Sequence, residues 1–244
     1  MKKIIQKLII LISLGIIIAV NLNAQTGKEL LTNCATAMRW DKLDSFQTWS
    51  VKLFIYGAGQ KVSLKIFSKN NDLKESFTRV EQTMTGNEEV FVLTDNDFFR
   101  LVPNYELLDM SDAATIYQLL TIFFPSAGIM PLLFDTTDAF VLKLVGTEKI
   151  NNSSCKKVSF ALSTEPQNIL QYFYFDEVTN YMVSTEMPEQ KVSFVFEGMK
   201  REKGYVYAST IKMLQDGKKV QEFEIDKLEF NIELDDSLFA KPRQ

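Results

Sequence analysis

Apolar and polar residues alternate along most of the chain, which is the pattern of β-strands that bury one face. Residues 49–56 and 60–67 show this alternation, and a glycine-containing turn separates them. Further strands are predicted at residues 74–82, 88–95, 97–103, 140–146 and 156–164, in hairpins at 170–187 and 191–214, and in a last strand after an Asp216-Gly217 turn. Strands that follow one another in this way predict a mainly β fold built on one strongly curved antiparallel sheet of about eleven strands.

The last strand changes the parity of its apolar residues partway along. These residues occupy odd positions first and even positions afterwards: Phe223, Ile225, Leu228, Phe230, Ile232 and Leu234. Because successive side chains of a strand point to opposite faces, one strand can bury both sets only if an extra residue is inserted. The sequence therefore predicts a β-bulge near Asp226 and Lys227.

Two segments interrupt the strand pattern and are apolar enough to cover a sheet. Residues 26–46 place apolar side chains at helical spacing, and residues 113–134 contain no charged residue. The second segment begins with a predicted helix at residues 112–124, capped by Ser111 or Asp112. Several strands are apolar on both faces, so their second face must also be covered. We expect both segments to lie against the concave side of the sheet.

The uncharged segment is long enough to cross a membrane, which takes roughly 20 apolar residues. However, Pro125, Gly128 and Pro131 fall within seven residues of one another and would break a membrane helix. The segment is therefore interpreted as core or as a cover over a binding site. A permanently packed plug and a movable cover both remain open.

The first 24 residues have the composition of an export signal. Three lysines precede an almost wholly apolar run, and cleavage is expected after Ala24. An uncleaved amino-terminal anchor is the alternative. Lipid attachment is not expected, because Cys34 lies well beyond the apolar run. The remaining residues, 25–244, are expected to form a single extracytoplasmic domain.

Composition excludes several classes of function. The chain contains no histidine, which rules out Ser-His and Cys-His nucleophile systems and histidine-containing metal sites. Removing the leader takes away three lysines and no acidic residue, so the formal net charge changes from −4 to −7. An acidic chain without a basic stripe is not expected to bind nucleic acid. No catalytic residue, cofactor or metal site is predicted.

The two cysteines, Cys34 and Cys155, are too few for a structural zinc site. In an oxidising compartment they could pair, although they lie far apart in sequence. Two free, buried thiols are the alternative to this disulfide.

Three stretches resemble the outer-membrane lipoprotein carrier (LolA-like) superfamily, in its outer membrane lipoprotein-sorting branch. Residues 140–160 are similar to a pair of strands in that family, and residues 172–183 are similar to its hairpin with an acidic turn. The closing stretch is the most specific of the three, because it keeps the order Asn231, Asp235, Asp236, Ser237, Phe239 and Pro242. In this tail the aspartates are expected to cap local amides, and Phe239 to tuck under the sheet edge.

The resemblance implies an open half-barrel with helices in its concave side. It also implies a soluble periplasmic carrier that shelters the acyl chains of lipoproteins or other lipids on their way to the outer membrane. Transfer partners in the inner and outer membranes would load and unload it. In such carriers an arginine helps to hold the lid closed, and Arg79 and Arg100 are the candidates here. A periplasmic scaffold or sensor that binds a protein partner without lipid is the alternative function.

Aromatic residues and methionine suit an apolar sleeve because they are wide and adaptable. The expected lining or cover comprises twelve residues: Phe91, Phe99, Phe123, Phe124, Ile129, Met130, Leu133, Phe134, Phe173, Phe175, Phe194 and Phe196. For the strand residues among them, the sequence leaves open which parity points inward.

Overall fold

The computed structural model describes residues 26–70, 76–113, 120–121 and 138–241. The predicted leader and most of the uncharged segment therefore lie outside the described residues. Within the described ranges, no helix combines the length and the apolar character that crossing a bilayer requires.

Thirteen strands form one antiparallel sheet, which stays open. The strands are β1 Thr48–Gly57, β2 Gln60–Asn70, β3 Ser76–Met84, β4 Asn87–Leu93, β5 Phe98–Val102, β6 Glu106–Leu108, β7 Phe140–Ile150, β8 Ser153–Leu162, β9 Ile169–Asp176, β10 Met182–Met187, β11 Val192–Glu202, β12 Tyr205–Gln215 and β13 Lys218–Phe230. Their order in space is β6-β5-β4-β3-β2-β1-β13-β12-β11-β10-β9-β8-β7. The last strand thus pairs with the first at the centre, and β6 and β7 form the two edges.

The other described elements are one α-helix and three short 3₁₀ helices. They are α1 at Gly27–Met38 and 3₁₀ helices at Trp40–Ser45, Met110–Ala113 and Asp236–Phe239. The predicted fold class is confirmed: a mainly β domain with one open antiparallel sheet and a helix against it. The sheet has thirteen strands where the sequence predicted about eleven. The strand that the sequence analysis did not place is β6, whose three residues are too few to show an alternating pattern.

Hairpin turns with a positive backbone φ set the register of the sheet. Asp216 and Gly217 have φ angles of 50° and 73°, and Ala58 and Gly59 have 48° and 75°. Two successive residues with positive φ are what the type I′ turn requires, and this turn matches the twist of the strands it joins. Both turns were expected from the sequence.

The predicted bulge in the last strand is confirmed at Asp226. In the pairing of β1 with β13, Lys52 lies opposite Lys227 while Leu53 lies opposite Ile225, which leaves Asp226 without a partner in the ladder. The Asp226 carboxylate instead accepts from the Lys52 ammonium at 2.6 Å. Because of this insertion, the apolar residues on both sides of the bulge are buried.

A complete capping box defines the start of α1. The Thr26 hydroxyl accepts from the Glu29 amide at 3.1 Å, and the Glu29 carboxylate accepts from the Thr26 amide at 2.7 Å. These two bonds satisfy amides that have no partner inside the helix. The helix ends at Arg39, which adopts the left-handed conformation with a φ of 56°.

This helix lies across the concave side of the sheet. It packs against β7 and β12, which are five strand-to-strand steps apart. With strands about 4.8 Å apart, five steps follow an arc of about 24 Å. A helix of 12 residues is only about 18 Å long. The strands from β7 to β12 therefore curve around α1, which spans them as a chord spans an arc.

The amino-terminal end of the helix touches the backbone of the edge strand. A Cβ atom added to Gly27 would lie 2.7 Å from the carbonyl carbon and oxygen of Leu142 and 2.9 Å from the amide nitrogen of Lys143. These are backbone atoms, which cannot rotate away as the end of a side chain could. Gly27 is therefore required for α1 to reach β7.

The sheet buries residues on both faces, in two separate clusters. The larger cluster lies on the concave face and includes the inner side of α1 (Leu30, Leu31, Cys34, Ala35 and Met38). The smaller cluster contains Val92, Phe99 and Phe239. Neighbouring residues of one strand belong to different clusters, as with Leu93 and Val92. The smaller cluster therefore lies on the convex face.

The carboxy-terminal tail closes this convex cluster. Asp235 caps the last 3₁₀ helix by accepting from the Ser237 amide at 2.8 Å. Phe239 is buried, with its ring centroid 5.9 Å from that of Phe77. Both features confirm the structural role expected of the tail. Arg79 of β3 also holds the tail, because its guanidinium donates to the Leu238 carbonyl at 2.8 Å.

We expect Gly27→Ala to destabilise the protein by about 1–3 kcal/mol, since overpacking against rigid atoms forces the helix away from β7. The change in the free energy of unfolding can be measured by urea denaturation. Lys28→Ala is the matched control: Lys28 is an exposed neighbour in the same helix, and it should change the stability by less than about 0.5 kcal/mol. Equal stabilities for the two variants would contradict the close approach of α1 to β7.

Candidate ligand-binding face

A row of phenylalanines crosses the concave face near the β7 edge. The ring centroids of Phe140 on β7 and Phe160 on β8 are 5.2 Å apart, and those of Phe160 and Phe173 on β9 are 6.2 Å apart. Phe175, also on β9, follows at 6.4 Å from Phe173. Cross-strand pairing places these rings on neighbouring strands, and their spacing is that of favourable aromatic contacts. We call these four residues the aromatic row.

A second aromatic pair lies on the same face in the other half of the sheet. The rings of Phe91 on β4 and Phe98 on β5 are stacked, with centroids 6.1 Å apart. Leu108 and Leu120 pack against the same concave cluster, and Ala113 is fully buried within it. Ala113 and Leu120 belong to the uncharged segment, so the described part of that segment lies on the concave side, as expected.

A small cavity lies between the end of α1 and strands β10 to β12. Its volume is about 10 Å³, which is room for about one water molecule. The lining is apolar and aromatic, with three methionines: Met38, Trp40, Met182, Phe196, Met199, Tyr205, Val206, Tyr207, Ala208 and Ile211. None of these residues carries a carboxylate or an amine. Methionine side chains are flexible, so this part of the core can change shape more readily than a core of branched residues.

The indole of Trp40 is a polar group in this lining. Trp40 is only 1% exposed, and its Nε1–H has no hydrogen-bond partner among the described residues. A buried donor without an acceptor costs free energy, on the order of 1–3 kcal/mol. The lining thus holds no charged group, and its neutral polar groups are this indole and the hydroxyls of Tyr205 and Tyr207.

The structure fixes the parity that the sequence left open. Phe173, Phe175 and Phe196 are buried in the concave cluster, and Phe91 and Phe194 pack against it. The remaining expected strand residue, Phe99, belongs to the convex cluster with Phe239. This corrects its assignment to the lining: Phe98, its neighbour in β5, carries the inward parity instead.

Part of the expected lining lies outside the described residues, namely Phe123, Phe124, Ile129, Met130, Leu133 and Phe134. Conversely, the sequence analysis did not select Phe98, Phe140 or Phe160. Alternation in residues 156–164 could have indicated Phe160, because Val158 and Phe160 share a parity in that strand. The same holds for Phe140, which shares its parity with Leu142 and Leu144 while Lys143 has the opposite parity.

Both cysteines are free thiols in this structure, and both are buried. Burial raises the pKa of the Cys34 thiol far above its ordinary value, and a hydrogen bond from the Met182 backbone opposes this only in part. Burial likewise raises the pKa of Cys155, opposed by a backbone hydrogen bond at Ile150. Cys34 lies on the inner side of α1, where its thiol donates to the Met38 sulfur at 3.6 Å.

The two arginine candidates for a lid contact have other partners. Arg79 forms an ion pair with Glu81 at 2.9 Å and holds the carboxy-terminal tail on the convex side. Arg100 pairs with Glu106 on the edge strand β6. Among the described residues, neither arginine forms a hydrogen bond or ion pair with α1 or with Ala113.

Charged and polar side chains on the opposite face of β8 to β10 contact one another. The Lys157 ammonium lies 4.3 Å from the centroid of the Tyr172 ring and 3.1 Å from the Glu148 carboxylate. The Tyr174 hydroxyl donates to Glu186, and burial together with this bond raises the pKa of Tyr174.

In the part of the chain that the structure describes, no group of three or more acidic or cysteine side chains could hold a metal ion. The apolar concave face remains the candidate binding surface.

Solved structures share this architecture at low sequence identity. The chain is similar to a DUF1329 family protein from Desulfovibrio piger, with a TM-score of 0.53 and 15% identity over 88% of this chain and 95% of that one. It is also similar to a domain from Vibrio parahaemolyticus that is named for outer membrane lipoprotein sorting, with a TM-score of 0.50 and 11% identity over 87% and 95% of the two chains.

A LolA superfamily protein from Nitrosomonas europaea has a TM-score of 0.46 and 12% identity, over 85% of this chain and 97% of that one. No protein-family model and no curated protein matches the sequence. The two likenesses with TM-scores of 0.53 and 0.50 show the fold alone, and it is the fold that the resemblance of the closing strands and tail predicted.

We expect neither thiol to react with Ellman's reagent in the native protein at mildly alkaline pH. The thiolate is the reactive form, and the raised pKa of each cysteine keeps that form scarce while burial excludes the reagent. Reaction should be roughly a hundredfold slower than for a model thiol. Both thiols should react in guanidinium, which is the control. Fast labelling of Cys34 in a Cys155→Ser variant would show that α1 leaves the sheet readily.

Proposed function

We propose that this chain is a periplasmic carrier that holds acyl chains of lipoproteins or other lipids against its concave face and shelters them from water during transfer towards the outer membrane. The observation that supports the proposal is the continuous apolar face enclosed by α1 and the curved strands. That face includes the aromatic row and ends at the methionine-lined cavity.

The free energy of this binding would come from removing methylene groups from water. Each buried CH₂ contributes roughly 0.8 kcal/mol, so a long acyl chain has a strong preference for such a face. Aromatic rings and methionines supply apolar area without fixing the position of the chain, which suits cargo that must also be released.

Loading requires a change in the structure, because the cavity of about 10 Å³ is far smaller than an acyl chain. We infer that α1, the uncharged segment at residues 113–134, or both move away from the sheet when a ligand enters. The residues of that segment that the structure describes, Ala113 and Leu120, lie against the concave cluster. Along the chain, this segment stands between the two edge strands, β6 and β7.

The carrier needs no catalytic group. The cavity lining offers no carboxylate or amine that could act as acid or base. Both buried thiols have raised pKa values, which makes them poor nucleophiles. A periplasmic address is supported by the export-signal composition of residues 1–24.

Lipid mass spectrometry of the gently purified protein tests this proposal directly. A carrier should retain an acyl species in stoichiometric amount, and the empty protein should bind a fluorescent fatty acid. A clean protein that also ignores the probe would contradict the proposal. The concave face would then be ordinary core, and a scaffold that binds a protein partner would be the better interpretation.

We expect Phe160→Ala to weaken binding of the fluorescent fatty acid about tenfold. Loss of the ring removes on the order of 50 Å² of contact, or roughly 1.3 kcal/mol, from the ligand. Phe54→Ala is the matched control, because Phe54 is also a half-buried phenylalanine in a strand but points to the convex face. Its affinity should stay within about twofold of the wild-type value. Equal losses for the two variants would place the ligand elsewhere.

A further inference from the structure

The β7 edge exposes large apolar side chains on the face that turns towards α1. Phe140, Leu144 and Leu162 are 37%, 41% and 37% exposed. The strand register assigns all three to the concave face, since Phe140 pairs with Leu162, and Leu144 pairs with Val158, a buried member of the concave cluster. Water-exposed apolar residues on a face that is otherwise buried mark an opening into the interior.

This exposed patch continues into the aromatic row without a break. Phe140 contacts Phe160, which is half-buried, and Phe160 leads to Phe173, which is 1% exposed. At the far end of the row, Phe175 pairs with Met182, which lines the cavity beside Trp40. From β7 to β10 this path crosses three strand-to-strand steps, or about 14 Å. Exposure falls steadily from the edge to the interior.

The opposite edge of the sheet is built differently. Leu107 on β6 is 61% exposed, but it pairs with Phe99 and therefore lies on the convex face. Its neighbour Leu108 has the inward parity and packs against the concave cluster. Of these exposed large apolar residues on the two edges, those with the inward parity thus lie on β7 and the neighbouring β8.

The chemistry of the inner end decides which end of a ligand could reach it. The cavity is lined by apolar and aromatic side chains, and the polar groups among them are neutral: the indole of Trp40 and the hydroxyls of Tyr205 and Tyr207. A carboxylate or phosphate buried there would lack a cationic partner, which is strongly unfavourable. A methyl end would meet a matching surface. The charged or polar end of an amphiphile must therefore remain at the edge, in water.

On the premise of the carrier function, we propose that a linear acyl chain enters over the β7–β8 edge with its methyl end first. The chain runs along the aromatic row beneath α1 to the methionine-lined cavity, and its polar end stays outside near Leu144. The edge patch is then the portal of the carrier, and the cavity beside Trp40 is the end of the path.

Stopped-flow mixing with a fluorescent fatty acid tests the portal. Leu144→Glu places a charge where the apolar chain must pass, and it should slow association at least tenfold. Leu107→Glu is the matched control, since it makes the same change at an exposed leucine on the other edge strand, and it should leave the rate within twofold of the wild-type value. Because both positions are exposed, both variants should fold, which circular dichroism and thermal melting can verify.

Quenching of Trp40 fluorescence tests the orientation, in a Trp49→Phe background that leaves one tryptophan. A fatty acid with a nitroxide near its methyl end should quench Trp40 at least threefold more than one with the nitroxide near its carboxyl group. Stronger quenching by the carboxyl-end label would overturn the orientation.

The two proposals fail in distinguishable ways. A wild-type protein that binds no fatty acid overturns the carrier function and the portal together. Binding by the wild type with equal association rates for Leu144→Glu and Leu107→Glu overturns the portal alone and leaves the carrier function in place.

Discussion

The packing of α1 across the arc from β7 to β12 is the contact on which the rest of the structure depends. The helix touches both strands although they are five steps apart, so the sheet must bend to meet both of its ends. At one end a glycine allows the helix to touch the backbone of Leu142, and at the other Trp40 is buried beside β12. The interior between helix and sheet is therefore defined by the length of α1.

The two faces of the sheet are covered in different ways. The convex cover stabilises the fold, and the concave cover is the one that bears on the proposed function. The convex face is closed by the carboxy-terminal tail, which is fixed by the Asp235 cap, by burial of Phe239 and by the bond from Arg79. Nothing in that arrangement suggests movement. Among the described residues, the concave face is covered by α1, with Ala113 and Leu120 packed against the same cluster, and none of these belongs to a strand. A cover that is not hydrogen-bonded into the sheet can leave without unpairing any strand.

The sequence predicted those features that depend on local chemistry. The parity change in the last strand located the bulge at Asp226, and the tail motif located the cap and the buried phenylalanine. The inward face of each strand was not predictable where both parities are apolar, as with Phe98 and Phe99. That choice depends on which face meets α1 and which meets the tail, and these are contacts between distant parts of the chain.

The free energy with which α1 docks on the sheet also bears on whether an acyl chain could displace the helix. Fully burying a leucine or methionine contributes about 1.5–3 kcal/mol, so Leu30, Leu31 and Met38 together contribute roughly 5–9 kcal/mol to the docking of α1. A dozen methylene groups of an acyl chain contribute about 10 kcal/mol at roughly 0.8 kcal/mol each. The free energies with which α1 and an acyl chain would bind the concave face are therefore similar, and the two would compete for that face. Under the proposed carrier function, an exchange this close to balance would be reversible, so an acyl chain could be accepted at one site and given up at another without an energy source in this chain.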